Sequence, residues 1–193
     1  SDQPNLPEAD VFARVGAVLS DPSIAKVGHD LKPIVLTAAR HGANVAGLAV
    51  DTMLASYLLD ATGSSHSIET LALERANYRA TSAEEVQGKG ARATALDRVP
   101  PSSLLPVAAD RAELPLRIAD ALTEALKNEG LDRVYRDIEL PLLPILADIE
   151  QHGVKIDLPA LASLGVTMQA ELDGLSARIY ELASGEFNIN SPK

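Results

Sequence analysis

Histidines and carboxylates are the residues best able to hold a metal or move a proton, and here they are scattered. The four histidines, His29, His41, His66 and His152, include no pair at i, i+4 spacing, which a zinc site on one helix face requires. Each reads as a surface or hydrogen-bonded histidine. The chain contains no cysteine, which excludes disulfides, thiolate zinc sites and thiol nucleophiles. No Gly-x-Ser-x-Gly string is present, and the run from Gly63 to His66 reads as a turn feeding a helix cap. Gly88, Lys89 and Gly90 lack the further glycine spacing and the Lys-Ser/Thr ending of a phosphate loop. They predict an exposed turn.

The elements that must position any site follow from composition and periodicity. The chain has 193 residues, 46% hydrophobic and 23% charged, a globular balance able to bury a core. Aromatics make up only 3%, so aliphatic residues must fill that core and a stacking platform for single strands is not expected. Acidic residues outnumber basic ones 27 to 17, a formal charge of -10. That balance argues against a stand-alone nucleic-acid binder, whose phosphate contacts need cations. The opening residues SDQPNLPEAD are polar and acidic and no apolar run is long enough to span a bilayer, so neither leader nor membrane anchor is expected. The expected setting is cytoplasmic.

The pattern predicts a helix over 10–20 with Val11, Val15, Val18 and Leu19 inward, then a strand over 24–28. A second helix runs from Asp30, read as its N-cap, to about Arg40, followed by a strand over 45–50. Residues 51–60 predict a helix with Met53, Leu54, Tyr57 and Leu58 facing inward. Ser67 is placed to cap a helix carrying Ile68, Leu71 and Leu73, and Ser82 with Glu85 has capping-box spacing. Residues 102–129 are helical in pattern, with Pro106 and Pro115 expected to kink or divide the helix. From Leu131 onward only long helices are predicted, the first with a stripe from Val134 to Ile149 read as a buried hinge, the second over 158–184. Alternation of helix and strand gives an α/β class. A domain boundary is expected near Gly130, separating residues 1–130 from 131–193.

Longer strings carry a resemblance. KVGHDLK from Lys26, DTMLASYLLD from Asp51 and HSIETLA from His66 resemble the proofreading-exonuclease domain of the bacterial DNA polymerase I family, family A. DIELPL from Asp137, IEQHGVKID from Ile149 and FNINSPK from Phe187 resemble the strings that open that family's polymerase domain and lead to its thumb. The resemblance covers about residues 24–193 in unbroken order and is thin between Tyr78 and Ala119. It implies a partial ribonuclease H-like domain over 1–130, of the kind that uses paired carboxylates, followed by helices of the thumb base over 131–193.

Such nuclease sites hold two divalent metals that activate water and stabilise the leaving oxygen. The resemblance places the family's metal-binding carboxylate at Ile34, and its terminal Tyr and Asp at Val107 and Arg111. The family's first Asp-x-Glu, carried on an early strand, does not occur upstream of Lys26, so the first strands are expected to be missing. Asp110 lies one position early, rotated by about 100° on a helix, and Asp30 lies four positions before Ile34. Neither is expected to replace the lost ligands, so the proofreading site is expected to be degenerate, with no catalytic or metal-binding residues.

Asn188, Asn190, Ser191 and Lys193 match the string that begins the thumb, where polar residues approach the duplex backbone. The same residues also read as a polar helix start, with Ser191 as cap and Pro192 at its first position. The palm aspartates and nucleotide-binding fingers would lie beyond Lys193. The expectation is therefore a fragment of a template-directed polymerase, acting in replication and repair, whose Mg²⁺ belongs to the parent and whose partner is primer–template DNA. The fragment itself would be an inactive scaffold with weak DNA binding and no cofactor. Two alternatives stand beside it: an active metal-dependent 3′–5′ exonuclease, and a non-catalytic protein-interaction module.

Overall fold

The computed structural model describes residues 6–191. Helix α1 (Glu8–Ser20) leads to strand β1 (Lys26–Gly28), helix α2 (Lys32–Arg40) and strand β2 (Leu48–Asp51). Helices α3 (Thr52–Leu59), α4 (Ile68–Ala76) and α5 (Ala83–Gln87) follow, then two short 3₁₀ turns and the long helix α6 (Pro101–Asn128). A one-turn helix α7 (Asp132–Val134) runs through a π-turn (Tyr135–Glu139) into α8 (Leu140–His152), and α9 (Leu158–Leu182) comes last.

The two strands pair in parallel, Val27 opposite Val50 and Gly28 opposite Asp51, with α2 as the crossover between them. Among the described residues this pair is the whole sheet, matching the expectation of a small α/β core covered by helices. Helix α6 packs on both strands, and α8 packs on β2 and α2.

Local chemistry explains most element starts. Asp51 accepts from the N–H groups of Met53 and Leu54 and so caps α3, Ser67 caps α4 through Thr70, and Ser82 caps α5 through Glu85. Asn77 ends α4 in the left-handed region that asparagine tolerates. The cap expected at Asp30 is different. Asp30 sits at φ 53, outside the helix, and Leu31 is the N-cap of α2, with no side-chain bond. The carboxylate of Asp51 takes the N–H groups of Asp30 and Leu31, just ahead of the helix.

The core is built on α6. Leu114, Ile118, Leu122 and Leu126 recur every four residues, are fully buried, and meet Ala55 of α3 with Ile68, Leu71 and Ala72 of α4. Each such aliphatic side chain contributes about 1.5–3 kcal/mol by leaving water. This stripe runs past Pro115, itself buried, and of the two outcomes expected at the prolines, a kink or a division, α6 is not divided: it is one helix of 28 residues. Around Pro115, burial of Leu114 and Ile118 offsets the backbone bond that the proline cannot make.

The inward faces are met in part. Ile68 and Leu71 are buried, and Leu54 and Leu58 pack against the core. Val15, Val18 and Tyr57, expected inward, are exposed, as is Leu73; α1 buries nothing fully and α3 buries Thr52, Ala55 and Ser56. The stripe from Val134 to Ile149 is not a buried hinge either. Ile138, Ile145 and Ile149 are each more than half exposed, while Tyr135, Leu143 and Ala147 face the core.

Packing continues across Gly130. That glycine, at φ 72, ends α6, but Leu131 and Tyr135 return to the same core. By contacts the chain forms one compact unit ending at His152 and another beginning at Gly153. In the second unit Tyr180 and Phe187 meet edge to face beyond the end of α9, with ring centroids 5.8 Å apart. Among the described residues, no helix is long and apolar enough to cross a membrane.

Candidate functional site

Both strands end at one cleft, the place where parallel sheets commonly present ligand-binding loops. Gly28 and Asp51 close β1 and β2. His29, Asp30, Met53, His66, Glu69 and Arg111 line an open pocket of about 270 Å³ beside them.

Asp51 organises the wall. It is 1% exposed, and its carboxylate accepts from Asp30 N (3.2 Å), Leu31 N (2.7 Å), Met53 N (2.9 Å) and Leu54 N (3.2 Å). A buried carboxylate is tolerated when hydrogen bonds replace its lost water in this way. From the other side, the Tyr135 hydroxyl accepts from Asp51 N at 2.7 Å and donates to Asp51 O at 3.2 Å. Burial pushes the Tyr135 phenol up to about 12, so it remains a donor.

Thr52 fixes the neighbouring histidine. Its Oγ1 lies 3.0 Å from His29 Nδ1 and 3.2 Å from Gly28 O, and so ties the ring to the end of β1. Burial holds the His29 pKa below its usual range, with Asp51 and Asp30 opposing that shift in part. His66 is bound through Nδ1 to Ser56 Oγ at 2.9 Å.

The three positions assigned to a degenerate nuclease site are not brought together as a ligand set. Ile34 is exposed on α2, beside an apolar depression shared with Val27, Leu31, Val45 and Leu116. Val107 is buried under α6. Arg111 reaches the cleft and pairs with Glu69 at 3.6 Å. Asp110, the nearest acidic neighbour, is 8% exposed and engaged elsewhere, accepting from Thr81 N at 2.7 Å and from the Tyr78 hydroxyl at 2.9 Å. Among the described residues, no group of three or more His, Cys, Asp or Glu is arranged to hold a metal ion. A side chain without donors at 34 and a cation at 111 do not fit a divalent pair.

Of the residues matched to the thumb string, Asn188, Asn190 and Ser191 are exposed. Asn188 accepts from Asn190 N through Oδ1 and from Ser191 N through its carbonyl, each at 3.1 Å. Ser191 is thus the donor in a turn around Asn188. Lys193 and Pro192 lie outside the described residues.

Sequence reasoning missed Asp51, Thr52 and Tyr135. Asp51 immediately before an apolar helical run carried a capping signal. Nothing local pointed to Tyr135, which lies 84 residues away.

A parallel β-α-β unit under a helical layer, with its cleft at the strand ends, is the α/β architecture of a ribonuclease H-like domain. Residues 8–102 match the family model described as "DNA polymerase I, ribonuclease H-like domain". DNA polymerase I of Pseudomonas aeruginosa is 36% identical over 186 residues, 95% of this chain and 20% of the relative. That of Rhizobium leguminosarum is 34% identical over 97% of this chain and 18% of the relative, and that of Geobacillus stearothermophilus 33% over 92% and 20%. The chain belongs to the bacterial DNA polymerase I family. It spans about a fifth of the length of these curated relatives. Among solved structures, the POL domain of Pol1 from M. smegmatis, in complex with DNA primer-template and dNTP, shares the fold. The TM-score is 0.72 at 24% identity, over 100% of this chain and 30% of that one.

Proposed function

We propose that this region is the structural support of a DNA polymerase I, and that its proofreading-type cleft does not degrade DNA. The observation that carries the reading is Arg111. A fixed cation, ion-paired with Glu69, stands where the family resemblance puts a metal-binding carboxylate. Ile34 supplies no oxygen at the second position, and Asp110 is committed to Thr81 and Tyr78. Residues 1–130 then act as the exonuclease-like part and 131–193 as the helical opening of the polymerase part. The complete polymerase would extend a primer on a template in the bacterial cytoplasm, at the nucleoid, with Mg²⁺ held by residues outside this region. Asn188, Asn190, Ser191 and Lys193 would approach the phosphate backbone there.

The test is incubation of the chain with labelled single-stranded DNA in Mg²⁺ or Mn²⁺. No shortening from the 3′ end is the expected result. Metal-dependent shortening that disappears in Asp30→Ala or Asp110→Ala would overturn the reading and establish the active exonuclease instead.

A further inference from the structure

The cleft wall at His29 and Asp30 is joined to helix α8 by a short chain of buried hydrogen bonds. We propose that Tyr135 is a positioning residue that sets the conformation of this wall through Asp51. The inference rests on the scaffold reading and gives that scaffold a specific coupling element.

Asp30 occupies the left-handed region at φ 53, a conformation open to aspartate as a single residue and less common than the right-handed ones. The Asp51 carboxylate holds it by taking the Asp30 and Leu31 N–H groups at 3.2 and 2.7 Å. The direction of that carboxylate depends on the Asp51 backbone, which the Tyr135 hydroxyl grips at both N–H and carbonyl. Tyr135 and Asp51 are each 1% exposed, so water offers neither an alternative partner.

Tyr135 opens the π-turn that leads into α8, where Pro141 cannot donate to the carbonyl four residues earlier. Helix α8 then returns to pack on α2, where Lys32 and Glu150 form an ion pair. A shift of α8 therefore moves the phenol, the phenol moves Asp51, and Asp51 releases or restores the Asp30 turn. The same path runs in reverse from the cleft. It is a contiguous network between two places on one compact unit.

Amide hydrogen exchange on the whole chain tests this, comparing Tyr135→Phe with Leu126→Ala, a core truncation remote from the network. In Tyr135→Phe, exchange at Asp30, Leu31 and Asp51 should rise about tenfold, the scale of one hydrogen bond, while α4 and the core of α6 hold. Leu126→Ala should raise all slow amides by a common factor. A common factor in Tyr135→Phe as well, or no change at Asp30 and Leu31, would overturn the proposal. Should Tyr135→Phe fail to fold, Asp51→Asn read at the amides of α8 serves. Selective loosening there supports the coupling, and unchanged α8 refutes it. Nuclease activity in the metal incubation would instead defeat the scaffold reading and leave this measurement intact.

Discussion

His29 shows how one half-buried side chain makes the stability of the whole unit depend on pH. Desolvation is the largest influence on it and lowers its pKa in the folded chain, against an ordinary value near 6.5 in the unfolded one. The unfolded chain therefore takes up the proton first as pH falls. The contribution of His29 is fully present above about pH 6.5 and is lost as pH drops from there through the lower folded value. Most carboxylates begin to titrate only below about pH 5, which leaves a window between about 6.5 and 5.5 dominated by histidine. Urea midpoints measured across that window should fall more steeply for the native chain than for His29→Gln. Parallel curves for the two would show that His29 takes up its proton as readily folded as unfolded. Legibility at this scale was uneven. A histidine after a strand was visible in the string KVGHDLK, but the burial that lowers its pKa comes from the packing around it, including Thr52, which the strand pairing brings alongside.

Among the elements, the segment after α4 is held to α6 by the buried Ala80 and, for its hydrogen bonds, by one carboxylate. Asp110 takes the Thr81 N–H and the Tyr78 hydroxyl, and Arg117, two turns further along α6, lies 5.4 Å from the centroid of the Tyr78 ring. Asp110→Ala leaves a part-buried N–H without a partner, a loss of about 1–3 kcal/mol. For a chain of this size, each kcal/mol lowers the melting temperature by about 2–4 °C, so thermal denaturation should register the change clearly. Asp110→Asn, which keeps an acceptor, should recover part of it. An Asp110→Ala chain that melts with the native one would remove the structural role argued for this carboxylate. The element order was largely legible because the caps at Ser67 and Ser82 and the four-residue repeat from Leu114 to Leu126 are local signals. The burial of α3, α4 and α8 was less so. Each carries apolar residues on more than one face, and which face turns inward is decided by neighbours far away in the chain, as with Tyr135 against Asp51. At Pro115 the sequence alone left a kink and a division open, and burial of that proline against the core accompanies a helix that is not divided.

At the scale of the whole molecule, charge sets what the proposed support of a polymerase implies for DNA. A formal charge of -10 repels phosphate. The thumb-like string offers a single cation, Lys193, beside the exposed Asn188 and Asn190. Several of the arginines and lysines of the compact unit are already paired with carboxylates: Lys32 with Glu150, Lys89 with Glu84, Arg111 with Glu69 and Arg136 with Asp132. Each pairing withdraws a charge that counterion release would otherwise use. Affinity of this chain for primer–template at physiological salt should therefore be no tighter than the non-specific range, about 10⁻⁴–10⁻⁶ M. In a protein of the relatives' length, the same region would share the duplex with the rest of the polymerase and binding should be far stronger. There Lys193→Ala should weaken all sequences alike and reduce the salt slope by about one unit, the signature of a single phosphate contact. Titrations of both proteins with duplex at several salt concentrations provide the comparison. Submicromolar binding by this chain alone, indifferent to salt, would mean that the surface holds DNA by something other than phosphate attraction. The scaffold reading would then give way to an independent binding module.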